Sequence, residues 1–261
     1  MKVSSCIDMM FSDMAFSERI KTVSECGLEA VEFWKWTDKD IEEIEFLQQK
    51  YKLNFSVFNI DSSNKKISYD LSRGILNTGR IDDFLSALNE SIPIYKKLNA
   101  SGMIILIGET LPNISSEDQI ENIYNCLKAA APIVEKNGVV LVVEPLNSID
   151  RKNYFLPYAK PLFKILERVD SPNVKMLYDI YHQNMMGDFS IETIKENINR
   201  IGHFHFADFP GRHEPGTGTV DYVSIIREIN KTDYNGYIGL EYRATKPDRE
   251  TFDFLEELKN V

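Results

Sequence analysis

The chain has 261 residues, 43% hydrophobic and 27% charged, with 40 acidic against 30 basic residues and a formal net charge of −10. A large core fits that length and apolar share, while the acidic balance and the lack of a Lys/Arg block speak against nucleic acid as a partner. No stretch is apolar enough for a signal peptide or a membrane span, and Cys6, Cys26 and Cys126 are too few and too scattered for a disulfide framework or a zinc knuckle. A cytoplasmic protein with free thiols and no membrane partner is expected.

Along the chain, short β-branched runs alternate with longer amphipathic ones. Strands are predicted at residues 3–7, 30–33, 54–59, 102–107, 139–144, 174–179, 202–206 and 237–241. Helices are predicted between them at 16–26, 41–51, 82–98, 161–169, 191–198, 222–229 and 248–259. A further helix ends near Lys136 and opens on a capping box, Ser116 with Gln119. Pro93 predicts a kink or break in the 82–98 helix. Gly27, Gly138 and Gly236 fall between helix and strand, where a left-handed cap is wanted. Eight β–α units without a composition break predict an α/β chain forming one (β/α)₈ barrel domain over residues 1–261. An open dinucleotide-binding sheet is disfavoured, because the turn after the first strand, Asp8-Met9-Met10-Phe11-Ser12-Asp13, has no glycine.

A barrel of this kind carries its active site at the C-terminal ends of its strands. The last four predicted strands end in Glu144, Asp179, His203-Phe204-His205 and Glu241. Adjacent strands lie about 4.8 Å apart, so Glu144, Asp179, His205 and Glu241 can converge on one ion. Three carboxylates and one imidazole suit Mn²⁺ or Mg²⁺, with Co²⁺ and catalytic Zn²⁺ as alternatives. A lone acid at a strand end is commonly a cap or a solvated loop residue. Three carboxylates and an imidazole at four successive strand ends are costly to bury without a compensating cation or proton. His203 shares a strand face with His205 and reads equally as a hydrogen-bonded core histidine. Asn147 and Asp150 are candidate partners for substrate hydroxyls, with loop capping as the other role for Asn147. Trp34 and Trp36 either wall the pocket or pack under a loop, and Glu109 follows strand four near the same mouth.

Several of these stretches together resemble the hydroxypyruvate isomerases, within the wider xylose-isomerase-like barrels. They are Glu144-Pro145-Leu146-Asn147 with Asp150-Arg151 and Tyr154-Phe155-Leu156, Asp179-Ile180-Tyr181-His182, the loop from Pro210 to Gly218, Gly239-Leu240-Glu241-Tyr242, and Val31-Glu32-Phe33-Trp34. The resemblance covers nearly the whole chain, and the loop from Pro210 to Gly218 is its most specific part. It implies that Glu144, Asp179, His205 and Glu241 ligate the metal and that Glu144 and Glu241 are the acid/base pair. It also implies that His182 and Arg212 bind substrate. Hydroxypyruvate isomerases often carry glutamine at this strand-seven position, whereas this chain carries His205, as ketose 3-epimerases do. The implied reaction is isomerisation of a small hydroxy-keto acid or sugar through an enediolate. A ketose 3-epimerase and a non-catalytic ligand-binding barrel are the alternatives, and a homo-oligomer stays open.

Overall fold

The computed structural model describes residues 2–258. Among them, eight parallel strands close into a barrel in chain order: β1 (Lys2–Cys6), β2 (Ala30–Lys35), β3 (Asn54–Asn59), β4 (Gly102–Leu106), β5 (Leu141–Glu144), β6 (Val174–Asp179), β7 (Ile201–Phe206) and β8 (Tyr237–Leu240). The barrel closes where β1 pairs with β8, Ser4 opposite Gly239. The helices that wrap it include α1 (Phe16–Glu25), α2 (Ile41–Tyr51), α3 (Lys65–Arg73), α4 (Ile81–Leu98), α5 (Ser116–Asn137) and α6 (Ala159–Val169). They continue with α7 (Ile180–Met185), α8 (Ile191–Asn197), α9 (Tyr222–Asn230) and α10 (Phe254–Leu258). One domain with a closed parallel sheet is therefore the architecture, as the alternating pattern predicts. None of these helices is long and apolar enough to cross a membrane.

The main core lies between strands and helices, where each helix buries one apolar stripe; in α6 it is Leu162, Phe163, Ile165, Leu166 and Val169. The barrel interior is divided. Val57, Ile104, Val142 and Leu177 form a small apolar cluster inside it. The rest of the interior holds Ser4, Glu32, Ser56 and His203, all buried. Gly239 makes room for this polar half: a β-carbon there would lie 2.5 Å from Glu32 Oε1 and 2.7 Å from His203 Nε2.

Four local expectations are corrected. Of the kink or break expected at Pro93, the break is absent: α4 continues through the proline, with Phe84, Leu88, Ile92 and Leu98 buried on either side of it to offset the one lost hydrogen bond. The cap of α5 is Ser115, whose hydroxyl accepts from the Asp118 amide, one residue earlier than predicted. Gln119 instead accepts from the Leu111 amide and donates to the Ile114 carbonyl. Gly138 is a left-handed cap, but Gly236 is not; a β-carbon there would meet the Tyr234 hydroxyl at 2.4 Å. The 248–259 helix is a 3₁₀ turn over Asp248–Phe252 followed by α10, and Lys259 lies outside the described residues. Both α3 and α7 are additional to the predicted elements.

Candidate active site

Each of the four predicted metal-ligand residues arrives on rigid backbone. Glu144 ends β5, and its carbonyl accepts from the Tyr154 hydroxyl at 2.7 Å while that hydroxyl accepts from the Ile107 amide at 2.8 Å. One tyrosine therefore pins the ends of β4 and β5 together. Asp179 ends β6 and caps α7: Oδ1 accepts from the His182 amide at 2.8 Å, which leaves Oδ2 turned toward the other acids. His205 lies on β7 and Glu241 just past β8, where its amide donates to the Phe206 carbonyl.

These side chains meet. Ligand atoms of Glu144, Asp179, His205 and Glu241 all lie within 4.8 Å of one another, and all four residues are buried. His205 Nδ1 sits 3.4 Å from Glu144 Oε1, 3.4 Å from Glu241 Oε2 and 3.9 Å from Asp179 Oδ2. Glu144 Oε1, Asp179 Oδ2 and His205 Nδ1 have no hydrogen-bond partner within the protein. Orphaned buried oxygens and an aromatic nitrogen, all at coordination spacing, are what a divalent cation requires of a site, so the donor set fits one.

The electrostatics carry the mark of that crowding. Burial pushes Asp179 up to about 7, helped by Glu144 and Glu241 and opposed by Arg212 and His205. Burial likewise raises Glu144, against a contact with His205. Burial would raise Glu241 as well, but Arg212 and His205 together hold it well below the ordinary carboxylate range. His205 is driven the other way: burial disfavours its charge, yet Glu241 and Glu32 raise it far above an ordinary imidazole.

Glu32, which sequence reasoning named only as part of a motif, organises the floor of the site. Its Oε2 accepts from Ser4 Oγ at 2.6 Å and Ser56 Oγ at 2.8 Å, and lies 3.1 Å from His203 Nε2. Its Oε1 lies 3.0 Å from His205 Nε2, close in distance though poorly aligned for a hydrogen bond. Glu32 thus faces the far nitrogen of the histidine whose Nδ1 faces the acids, the arrangement by which a carboxylate orients a metal-ligating imidazole. His203 proves to be the hydrogen-bonded interior histidine, one of its two predicted readings. Glu32, His203 and His205 also lie close enough to hold an ion; Glu32 Oε2 is taken by the two serine hydroxyls and His203, while Glu32 Oε1 and His205 Nε2 are without a hydrogen-bond partner.

The remaining predicted residues separate into two groups. His182, Arg212 and Asp150 line the cavity above the acids, along with Trp34. His182 Nδ1 accepts from the Asn147 amide at 3.3 Å, and its Nε2 has no partner and lies 3.6 Å from Asp179 Oδ2. Burial and Arg212 hold it well below an ordinary histidine, so it is a neutral N–H donor. Arg212, at φ +58°, pairs through Nη2 with Glu241 and stacks over Tyr181 at 5.4 Å. Asp150 accepts from Asn147 Nδ2 and the Tyr181 hydroxyl, each at 3.0 Å. Asn147 stays out of the cavity. Its oxygen accepts from the Ile149 and Asp150 amides, so it caps its own loop and carries His182. Glu109 is also elsewhere, paired with Arg73 at 2.6 Å. Trp34 Nε1 donates to Glu241 Oε1 at 2.9 Å, whereas Trp36 Nε1 donates to Ser91 of α4 at 3.0 Å.

Comparison with known proteins agrees with this fold. The family of xylose isomerase-like TIM barrels matches residues 20–258. Hydroxypyruvate isomerase of Escherichia coli is 30% identical over 244 residues, 93% of each chain. A 2-oxo-tetronate isomerase of Pectobacterium atrosepticum is 23% identical, over 92% of this chain and 91% of its own. The crystal structure of an AP endonuclease, family 2, from Brucella melitensis superposes with a TM-score of 0.90 over 98% of both chains at 23% identity, a likeness of fold. The chain belongs to the xylose isomerase-like TIM-barrel family and, within it, groups with the hydroxypyruvate isomerases.

Proposed function

We propose that the protein is a divalent-metal-dependent isomerase of a small hydroxy-keto acid, moving a proton between adjacent carbons through an enediolate. The observation that carries this reading is the cluster of Glu144, Asp179, His205 and Glu241 at the base of the cavity, three of them with an orphaned donor atom. The names of the hydroxypyruvate and 2-oxo-tetronate isomerases support the substrate class.

Glu144, Asp179, His205 and Glu241 would hold Mn²⁺ or Mg²⁺, with Co²⁺ or Zn²⁺ as alternatives. Bound there, the ion supplies Lewis-acid stabilisation of the negative charge that develops on the substrate oxygens. Glu144 and Glu241 are the proton carriers. They approach the same point from β5 and β8, so one can take the proton from carbon while the other returns it to the neighbouring carbon. Their surroundings differ: burial raises Glu144, while Arg212 and His205 favour the charged form of Glu241. His182, a neutral N–H donor at the cavity wall, is placed to bond a substrate oxygen. Arg212 presents a cation to the same space. The Pro210 to Gly218 segment keeps Arg212 in place, since Asp208 accepts from the amides of Phe209, Gly216 and Val220.

The test is conversion of hydroxypyruvate by metal-stripped protein with and without added Mn²⁺, run in deuterated water and read by NMR. Metal-dependent movement of the carbonyl with solvent deuterium at the new C–H supports the reading; no exchange with any metal overturns it. The cavity, about 440 Å³ or room for about 15 waters, exceeds what a three-carbon acid fills. That favours, as a second reading, 3-epimerisation of a longer ketose, in which the same experiment shows one centre inverted and the carbonyl unmoved.

A further inference from the structure

The cavity carries a second charged feature that the acid cluster does not use. We propose that Lys35 and Arg151 form an anion subsite that takes the oxyanion, a carboxylate or a phosphate ester, at the far end of a substrate of four or more carbons. The inference rests on the isomerase reading for which end of the substrate meets the acids.

Both cations line the cavity, half-buried. Lys35 ends β2, and its Nζ donates to Ser68 Oγ at 3.3 Å. Arg151 follows β5, and its Nη2 donates to the Ser72 carbonyl at 2.6 Å. Ser68 and Ser72 are four residues apart on α3, which puts them on one face a single turn apart, with β-carbons about 5–6 Å from each other. The helix thereby anchors two cations from distant parts of the chain, one through a side-chain hydroxyl and one through a backbone carbonyl, on one wall of the cavity. That wall is built from the end of β2, the helix of the β3–β4 crossover and the loop after β5, whereas the acids sit on the ends of β5 to β8.

Of the other charges of the cavity wall, Lys39 and Arg212 are paired with acids, while Asp61 and Asp150 are held by neutral hydrogen-bond donors. Lys39 bonds Asp8 at 3.3 Å and Asp38 at 2.7 Å, and Arg212 holds Glu241. Asp61 accepts from Thr37, and Asp150 from Asn147 and Tyr181. Among the described residues, Lys35 and Arg151 have only a hydroxyl and a carbonyl as partners, with no carboxylate within 4 Å. Glu109, already bonded to Arg73, feels Arg151 only as a weaker, longer-range charge. Two unneutralised cations on a concave wall, in a chain of net charge −10, are a recognition device for an anion. The spare volume of the cavity says the anion need not sit on the reacting carbons.

The test is calorimetric titration of the full-length, Mn²⁺-loaded chain with three probes: neutral D-ribulose, D-ribulose 5-phosphate, and 5-keto-D-gluconate, whose carboxylate is remote from its carbonyl. At least one anionic probe is expected to bind tenfold or more tighter than ribulose. Lys35→Met and Arg151→Met should each cut that preference about tenfold with Mn²⁺ affinity retained. A preference confined to the phosphate or to the carboxylate supports the subsite and names its ligand. Anionic probes binding no tighter than ribulose, or variants that weaken all three equally, overturn it. Affinity is read here rather than turnover, so the two readings fail separately: lack of metal-dependent exchange with hydroxypyruvate ends the isomerase reading, while anion binding that depends on Lys35 and Arg151 survives it.

Discussion

Strands β5 to β8 deliver Glu144, Asp179, His205 and Glu241 to one buried point, whereas β1 to β4 end in Cys6, Lys35, Asn59 and Leu106. The first half of the mouth has hardly any charge at its strand ends and borrows polar groups from α3 and from loops; the second half concentrates charge on the strands themselves. On the proposed function, the difference follows from what each half would have to do. Groups that hold an ion or move a proton must sit within tenths of an ångström of their task, and a strand in a closed barrel is the most rigid support the fold offers. Groups that recognise the rest of a substrate tolerate longer tethers, and the proposed anion subsite uses two, the Lys35 stem and the Arg151 loop. Glu32 links the halves, since it stands on β2 yet reaches His205 on β7.

The comparison breaks most severely if the charged half is not catalytic. Glu144→Gln and Glu241→Gln keep shape while removing the base, and each should lower turnover of the preferred substrate by about 10²–10⁴-fold with the barrel still folded. Turnover near wild type in either variant, with circular dichroism unchanged, removes that residue from the acid/base pair. Glu32→Gln tests the link between the halves. It should weaken Mn²⁺ binding about 10–100-fold in a chelator competition, because His205 loses the charge that orients it. Unchanged affinity would make Glu32 a folding residue only. Trp34→Phe deletes the 2.9 Å bond to Glu241 from the recognition side, and a loss of about tenfold in kcat/KM is expected. An undiminished kcat/KM would show that Arg212 alone positions Glu241. The smallest effect is on stability: Mn²⁺ at about 100 times its Kd should add about 2.7 kcal/mol. That raises Tm by about 5–10 °C in differential scanning calorimetry. A metal-independent Tm would contradict a site built around mutual repulsion of three acids.

The asymmetry also decided what could be read from the amino-acid order. The charged half was legible, because an apolar strand that ends in Glu or Asp announces both its element and the position of its side chain; Glu144, Asp179 and Glu241 all follow this pattern. The helix α3 was not: in Lys65–Arg73 only Ile67 and Leu71 are buried, too few for a periodic signal, although the Asn64 side chain caps it from the amides of Lys66 and Ile67. With α3 unread, nothing connected Lys35 to Arg151. The role of Glu32 was hidden for another reason. Its partners Ser4, Ser56 and His203 come from β1, β3 and β7, and only the barrel register brings them together across the interior. Asn147 could be read as a pocket residue or as a loop cap, and the choice needed the two amides that its oxygen accepts from.

The most direct test of the shared cation is a count. Metal-free, full-length protein titrated with Mn²⁺ and followed by electron paramagnetic resonance should bind one ion per chain, and Asp179→Asn should lose it while remaining folded. No bound ion, or a stoichiometry and affinity unchanged in Asp179→Asn, would mean that these four side chains do not share a metal.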